Sequence, residues 1–171
     1  MVIETAADMH ALGVDLASIV GPGDLIVLAG PLGAGKTTLT RGLGEGLEVR
    51  GPVTSPTFVL ARTHPSLVGG SPLVHVDAYR LSSALELDDL DIDFDRSVVV
   101  VEWGSGMLDG VAESWLEVDI ARPTGASAAD IGHGAALDGS DVETGSELDR
   151  DEPRVVTVRG FGPRWGAAGS A

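Results

Sequence analysis

The chain has 171 residues and no cysteine, so it is long enough to bury one core and excludes a disulfide scaffold or a thiolate metal site. Its formal charge of −15 argues against gripping nucleic acid unaided, because such binding needs Lys and Arg to neutralise phosphates. Met1–Thr5 lacks the basic and apolar pattern of a secretory leader, and no apolar run approaches the ~20 residues of a membrane span, so a cytoplasmic protein is expected.

Thr5 predicts the cap of a first helix, with Asp8 at the capping-box position and Leu12, Leu16, Ile19 and Val20 on one apolar face. Gly21-Pro22-Gly23 stops it. Leu25–Ala29 reads as a short buried strand that runs into Gly30-Pro31-Leu32-Gly33-Ala34-Gly35-Lys36-Thr37. This stretch meets the phosphate-loop pattern G-x-x-x-x-G-K-[ST] at every fixed position, and the residues from Thr38 to Leu43 can run on as a helix.

Strand, glycine loop and helix in that order suit a phosphate cradle. The glycines let backbone N–H groups point inward at the positive end of the helix. Gly33, Ala34, Gly35, Lys36, Thr37 and Thr38 are the expected binding residues, with Lys36 on the β- and γ-phosphates and the Thr37 hydroxyl on a Mg²⁺ that bridges them. A nucleoside triphosphate site follows. An Asn-Lys-x-Asp base reader for GTP is absent from the sequence, so ATP is the expected nucleotide.

Further along, Gly51-Pro52 opens a turn, and Thr54-Ser55-Pro56-Thr57 places hydroxyls around a proline that restricts the residue before it. That segment fits a loop sensing the γ-phosphate and fits equally a plain turn leading into a strand. Val59–Arg62 and Leu73–Tyr79 read as a hairpin, and 82–90 as a short acidic helix. The valine run 98–101 predicts a central strand, closed by Glu102. Residues 115–120 alternate apolar and acidic, 154–158 do so more weakly, and the two are expected to pair.

Glu102, at the end of an apolar strand, is placed to be the carboxylate that a nucleotide-bound Mg²⁺ requires beside Thr37. Asp77 shares a strand face with His75 and Tyr79, a pattern open to a role at the metal or to an ordinary surface strand. Lys36, Asp77 and Glu102 are thus the candidate catalytic residues, with Thr37 and Glu102 as candidate metal ligands. His10, His64 and His133 have no partner at ligand spacing and are expected at the surface.

The predicted fold is a single-domain α/β P-loop NTPase fold, with a mixed, mainly parallel central sheet flanked by helices. The domain would take in 1–122 and 154–160. Between them, 123–153 is rich in Gly, Ala, Ser and acids, with few large apolar residues to offset its ordering entropy, and is expected to be a disordered insert. Residues 161–171 lack periodicity and are expected to form a loose C-terminal tail.

Gly30–Thr38, Thr54-Ser55-Pro56-Thr57-Phe58, His75-Val76-Asp77-Ala78-Tyr79-Arg80-Leu81 and Val101-Glu102-Trp103, in this order and spacing, resemble the bacterial TsaE (YjeE) family. The resemblance spans roughly residues 3 to 122 and the strand at 154–158. It implies the ATPase component of tRNA threonylcarbamoyladenosine synthesis, using ATP and Mg²⁺, with the TsaD and TsaB proteins as partners and tRNA reached only through them. It also implies that Asp77 supports the metal or the attacking water, that Thr54–Phe58 is a switch-like loop, and that Trp103 packs beside the site or at the partner surface. The chain departs from the family in Pro31, where many members carry Asp, in Gly104-Ser105-Gly106, where a second acid is common, and in its long insert.

Other users of such a loop are a small-molecule kinase and a non-hydrolytic ATP-dependent switch. A kinase needs arginines on a lid, and Arg62, Arg80 and Arg96 stand isolated in the sequence. The sequence does not separate the switch from the hydrolase.

Overall fold

The computed structural model of the protein describes residues 1–81, 86, 90–104, 112–122 and 152–166. In chain order the elements are β1 (Val2–Ile3), α1 (Ala6–Ala17), β2 (Leu25–Ala29), α2 (Lys36–Gly46), β3 (Ala61–His64), β4 (Leu73–Asp77), β5 (Val98–Glu102), β6 (Trp115–Ala121) and β7 (Arg154–Phe161). The strands make one sheet in the order β1-β7-β6-β2-β5-β4-β3. Its central strands β6, β2, β5 and β4 run parallel, while β7 and β1 on one side and β3 on the other attach antiparallel.

The unbroken apolar runs explain which strands are central, since a strand covered on both faces has no need of alternation. Every residue of β4 and β5 is buried. One face, carrying Ile26, Leu28, Leu73, Val98 and Val100, packs beneath Leu12, Leu16, Leu39 and Leu43 of the two helices. The opposite face carries Leu25, Val27, Val74, Val76, Val99 and Val101, packed with Leu90, Ile92 and Phe94. β6 alternates as its sequence predicts, burying Leu116, Val118 and Ile120, and it pairs with β7.

Helix α1 begins with the expected reciprocal cap, in which the Thr5 hydroxyl accepts from the Asp8 N–H and the Asp8 carboxylate accepts from the Thr5 N–H, both at 3.1 Å. Its buried face is Met9, Leu12, Gly13 and Leu16, whereas Ile19 lies past the helix end and is exposed. α1 and α2 touch backbone to backbone. A Cβ at Gly13 would lie 2.1 Å from the Leu39 carbonyl oxygen, and one at Gly42 would lie 1.9 Å from that of His10. Their close approach braces the glycine loop from one side.

Two expectations need correction. Of the tail expected to be loose over 161–171, the described part is 161–166, and there Phe161 ends β7 and stacks on Trp115 with centroids 4.9 Å apart. Trp165 packs on the helix-side core, and Arg164 pairs with buried Asp24. These side chains find cover on residues far away in sequence, so no local periodicity announces them. His64, expected at the surface, is buried. The segment before it folds over β3, with the Arg50 N–H donating to the Pro65 carbonyl, and His64 Nδ1–H donates to the Arg50 carbonyl at 3.1 Å. Burial holds the His64 pKa below the ordinary 6.5 although the Arg50 carbonyl opposes the shift, and neighbouring His75 and Arg62 deepen it.

The acidic helix expected at 82–90 and the insert at 123–153 lie outside the described residues, except for Glu86, Leu90, Glu152 and Pro153. His133 and residues 167–171 lie outside them as well. No helix among the described residues is long and apolar enough to cross a membrane.

Candidate functional site

The glycine loop joins the end of β2 to the start of α2. Gly30 has a φ of 140° and Gly35 one of 108°, in a region that side chains rarely adopt, and a Cβ on Gly30 would lie 2.5 Å from the Ile120 carbonyl oxygen. Gly35 caps α2 without any side-chain hydrogen bond. The first-turn N–H groups of a helix have no intrahelical acceptor, so α2 offers them, with the positive end of its dipole, to an anion.

Lys36 is only 5 % exposed. Its Nζ donates to the Gly30 carbonyl at 2.9 Å and the Pro31 carbonyl at 3.0 Å, and lies 3.7 Å from the centre of the Trp103 ring. Desolvation lowers its pKa below 10.5, against the opposing attraction of Glu102 and Asp77. The ammonium is thus held inside the loop by two carbonyls and an indole face rather than by a carboxylate. Trp103 adopts a left-handed φ of 66° to reach it, a strained conformation for a bulky residue, and meets Tyr79 edge-on at 5.5 Å.

Parallel pairing of β4 with β5 sets Asp77 opposite Glu102, side by side at the strand ends. Both are 4 % exposed. The Thr37 hydroxyl donates to Glu102 Oε1 at 3.1 Å, so the two candidate metal ligands meet. The Thr57 hydroxyl donates to Asp77 Oδ2 at 2.7 Å, and the Tyr79 N–H to Oδ1 at 3.0 Å. Complete burial of β4 decides against the surface-strand reading of Asp77.

The site therefore gathers Gly33 to Thr38, Asp77 and Glu102 at one end of the sheet, with Thr57 brought in by its loop. Sequence reasoning missed His75 as a member: its Nε2 lies 2.8 Å from Glu102 Oε1. The signal was the run His75, Asp77, Tyr79, read without the knowledge that the strand is covered on both faces. Among the described residues no three His, Cys, Asp or Glu side chains gather into a metal cage. The donor set present, one hydroxyl and one carboxylate beside an uncapped helix N-terminus, suits Mg²⁺ carried on phosphates, because that ion takes one or two protein ligands and fills its sphere with phosphate and water.

A glycine loop between a central parallel strand and a helix, with a carboxylate ending the neighbouring strand, defines the P-loop NTPase class of α/β fold. Comparison with known proteins narrows the class. Residues 3–129 match the family model described as threonylcarbamoyl adenosine biosynthesis protein TsaE. The chain is 52 % identical over 163 residues to the tRNA threonylcarbamoyladenosine biosynthesis protein TsaE of Streptomyces coelicolor, covering 94 % of this chain and 95 % of that protein. It is 46 % identical over 124 residues to the TsaE of Mycobacterium tuberculosis H37Rv, covering 67 % of this chain and 74 % of that one. The crystal structure of YdiB from Bacillus subtilis superposes with a TM-score of 0.61 at 26 % identity, over 92 % of this chain and 82 % of that one. The chain belongs to the TsaE family.

Proposed function

We propose that this protein binds ATP with Mg²⁺ and hydrolyses it slowly, as the ATPase component of tRNA threonylcarbamoyladenosine synthesis that resets a TsaD–TsaB complex between rounds. The observation that carries this reading is the convergence of the uncapped start of α2, buried Lys36 and the Thr37–Glu102 contact. The names of its relatives support the pathway, and the −15 charge supports a tRNA reached only through partner proteins. A cytoplasmic location is part of the same proposal.

In this reading the backbone of Gly33–Thr38 would hold phosphate oxygens, and the Lys36 ammonium inside the loop would neutralise their charge. Thr37 and Glu102 would hold the Mg²⁺. ATP–Mg²⁺ when bound would supply an electrophilic phosphorus, the ion and Lys36 neutralising the negative charge on its phosphoryl oxygens. Asp77, already fixed through Thr57 and the Tyr79 N–H, orients the attacking water and accepts its proton.

The test is multiple-turnover tRNA modification by purified TsaD and TsaB, with and without this chain, alongside phosphate release and a Lys36→Ala control. Modification beyond one round only with the wild-type chain and ATP is the expected result, with Lys36→Ala slower by on the order of 100-fold. Equal modification with and without the chain overturns the role, and full ATP turnover by Lys36→Ala overturns the site.

A further inference from the structure

His75 is fully buried on β4, and the mechanism above gives it no task. In register it faces Val100, so its ring reaches diagonally along the sheet to Glu102, with Nε2 2.8 Å from Oε1. The same oxygen accepts the Thr37 hydroxyl at 3.1 Å. Among the described residues no hydrogen bond reaches Glu102 Oε2. One oxygen of this carboxylate is held twice, and the other is left to take something else.

The tautomer follows from the contact. An ionised carboxylate only accepts, so Nε2 must carry the proton. The other ring nitrogen, Nδ1, is buried without a hydrogen-bond partner, so Glu102 is the ring's one bonded contact among the described residues. The ring is therefore an Nε2–H donor to Glu102 Oε1. A Glu side chain has three torsions to lose when it binds a cation, and a buried donor behind it removes most of that freedom in advance.

We infer that His75 is a positioning residue for the metal carboxylate: its Nε2–H clamps Glu102 Oε1 so that Oε2 is presented to the cation at the phosphate loop. The inference rests on the ATP–Mg²⁺ reading of the site. His75 touches neither nucleotide nor metal, and acts through Glu102 as the partners of metal ligands commonly do.

The test compares His75→Leu, which removes the donor, with His75→Gln, which keeps an N–H at the end of a side chain of similar reach. Electron paramagnetic resonance reads the affinity of the protein–ATP complex for Mn²⁺, and ATP binding in EDTA serves as the control. His75→Leu should weaken Mn²⁺ binding about tenfold with metal-free ATP binding unchanged, and His75→Gln should recover most of the loss. Wild-type Mn²⁺ affinity in His75→Leu overturns the inference, as does an equal loss in two folded variants. Nitrogen-15 spectra of the wild-type histidine rings give an independent reading that needs no variant to fold: the Nε2–H tautomer at His75 supports the clamp, and the Nδ1–H tautomer overturns it. A wild-type chain that binds no ATP would instead bring down the reading of the site, while the ring spectra still report on the clamp.

Discussion

Asp24 and Glu102 stand at opposite ends of the parallel sheet, are equally buried at 4 % exposure, and are treated in opposite ways. Asp24, just before β2, accepts from the Gly21 N–H at 2.8 Å and takes both arms of Arg164, at 2.6 and 2.9 Å. Its charge is matched and its oxygens are occupied, as a bidentate guanidinium arranges. Glu102, at the far end of β5, meets an imidazole N–H and a hydroxyl, while the nearby cation Lys36 is bonded to carbonyls instead. A buried carboxylate without a bonded cation is costly unless something else supplies the charge. The Asp24 end of the sheet is closed by an ion pair, and at the Glu102 end no cation is bonded to the carboxylate among the described residues.

The comparison breaks first at Asp77, the neighbour of Glu102. Asp77→Asn keeps an acceptor for the Tyr79 N–H and can donate its amide to the Thr57 oxygen but removes the proton acceptor, and phosphate release should fall roughly a hundredfold while nucleotide affinity and melting temperature stay near wild type. Turnover at the wild-type rate would show that the carboxylate is structural, like Asp24. At the closed end the pattern should invert. Asp24→Ala strands the Gly21 N–H and frees the C-terminal segment, lowering the melting temperature by roughly 5 °C with phosphate release per folded molecule unchanged.

The smallest effect concerns His64, whose pKa in the fold lies below its unfolded value. As pH falls through about 6.5 the unfolded chain takes up a proton that the folded one resists, so His64 drains stability from there down to its lowered folded pKa. Urea midpoints measured from pH 7.5 to 5 should therefore fall less steeply in His64→Gln than in the wild type. Equal slopes would place the acid sensitivity elsewhere.

Much of the open end was legible beforehand, and little of the closed end was. The loop from Gly30 to Thr37 is a fixed pattern between a strand and a helix, and Glu102 follows four valines, so both declare themselves within a few residues. Asp77 was visible only as one of two readings, because a polar face on a strand means different things on covered and uncovered sheets. The Arg164–Asp24 pair spans 140 residues, and nothing near Arg164 distinguishes it from any other charge in an aperiodic stretch. His64 was misplaced for the same reason, since its cover is the 48–50 segment crossing over from the end of α2.

By itself the sequence determined the α1 cap, the apolar runs of β2 and β5, the glycine loop and the carboxylate after the valines, since each depends on the spacing of neighbouring residues along one element. Only the tertiary structure decided that Thr37, His75 and Glu102 share one oxygen, that Trp103 covers Lys36, and that Arg164 closes on Asp24. Periodicity reports that a side chain is covered. What covers it depends on strand order and register, and those are set by the packing of the whole sheet.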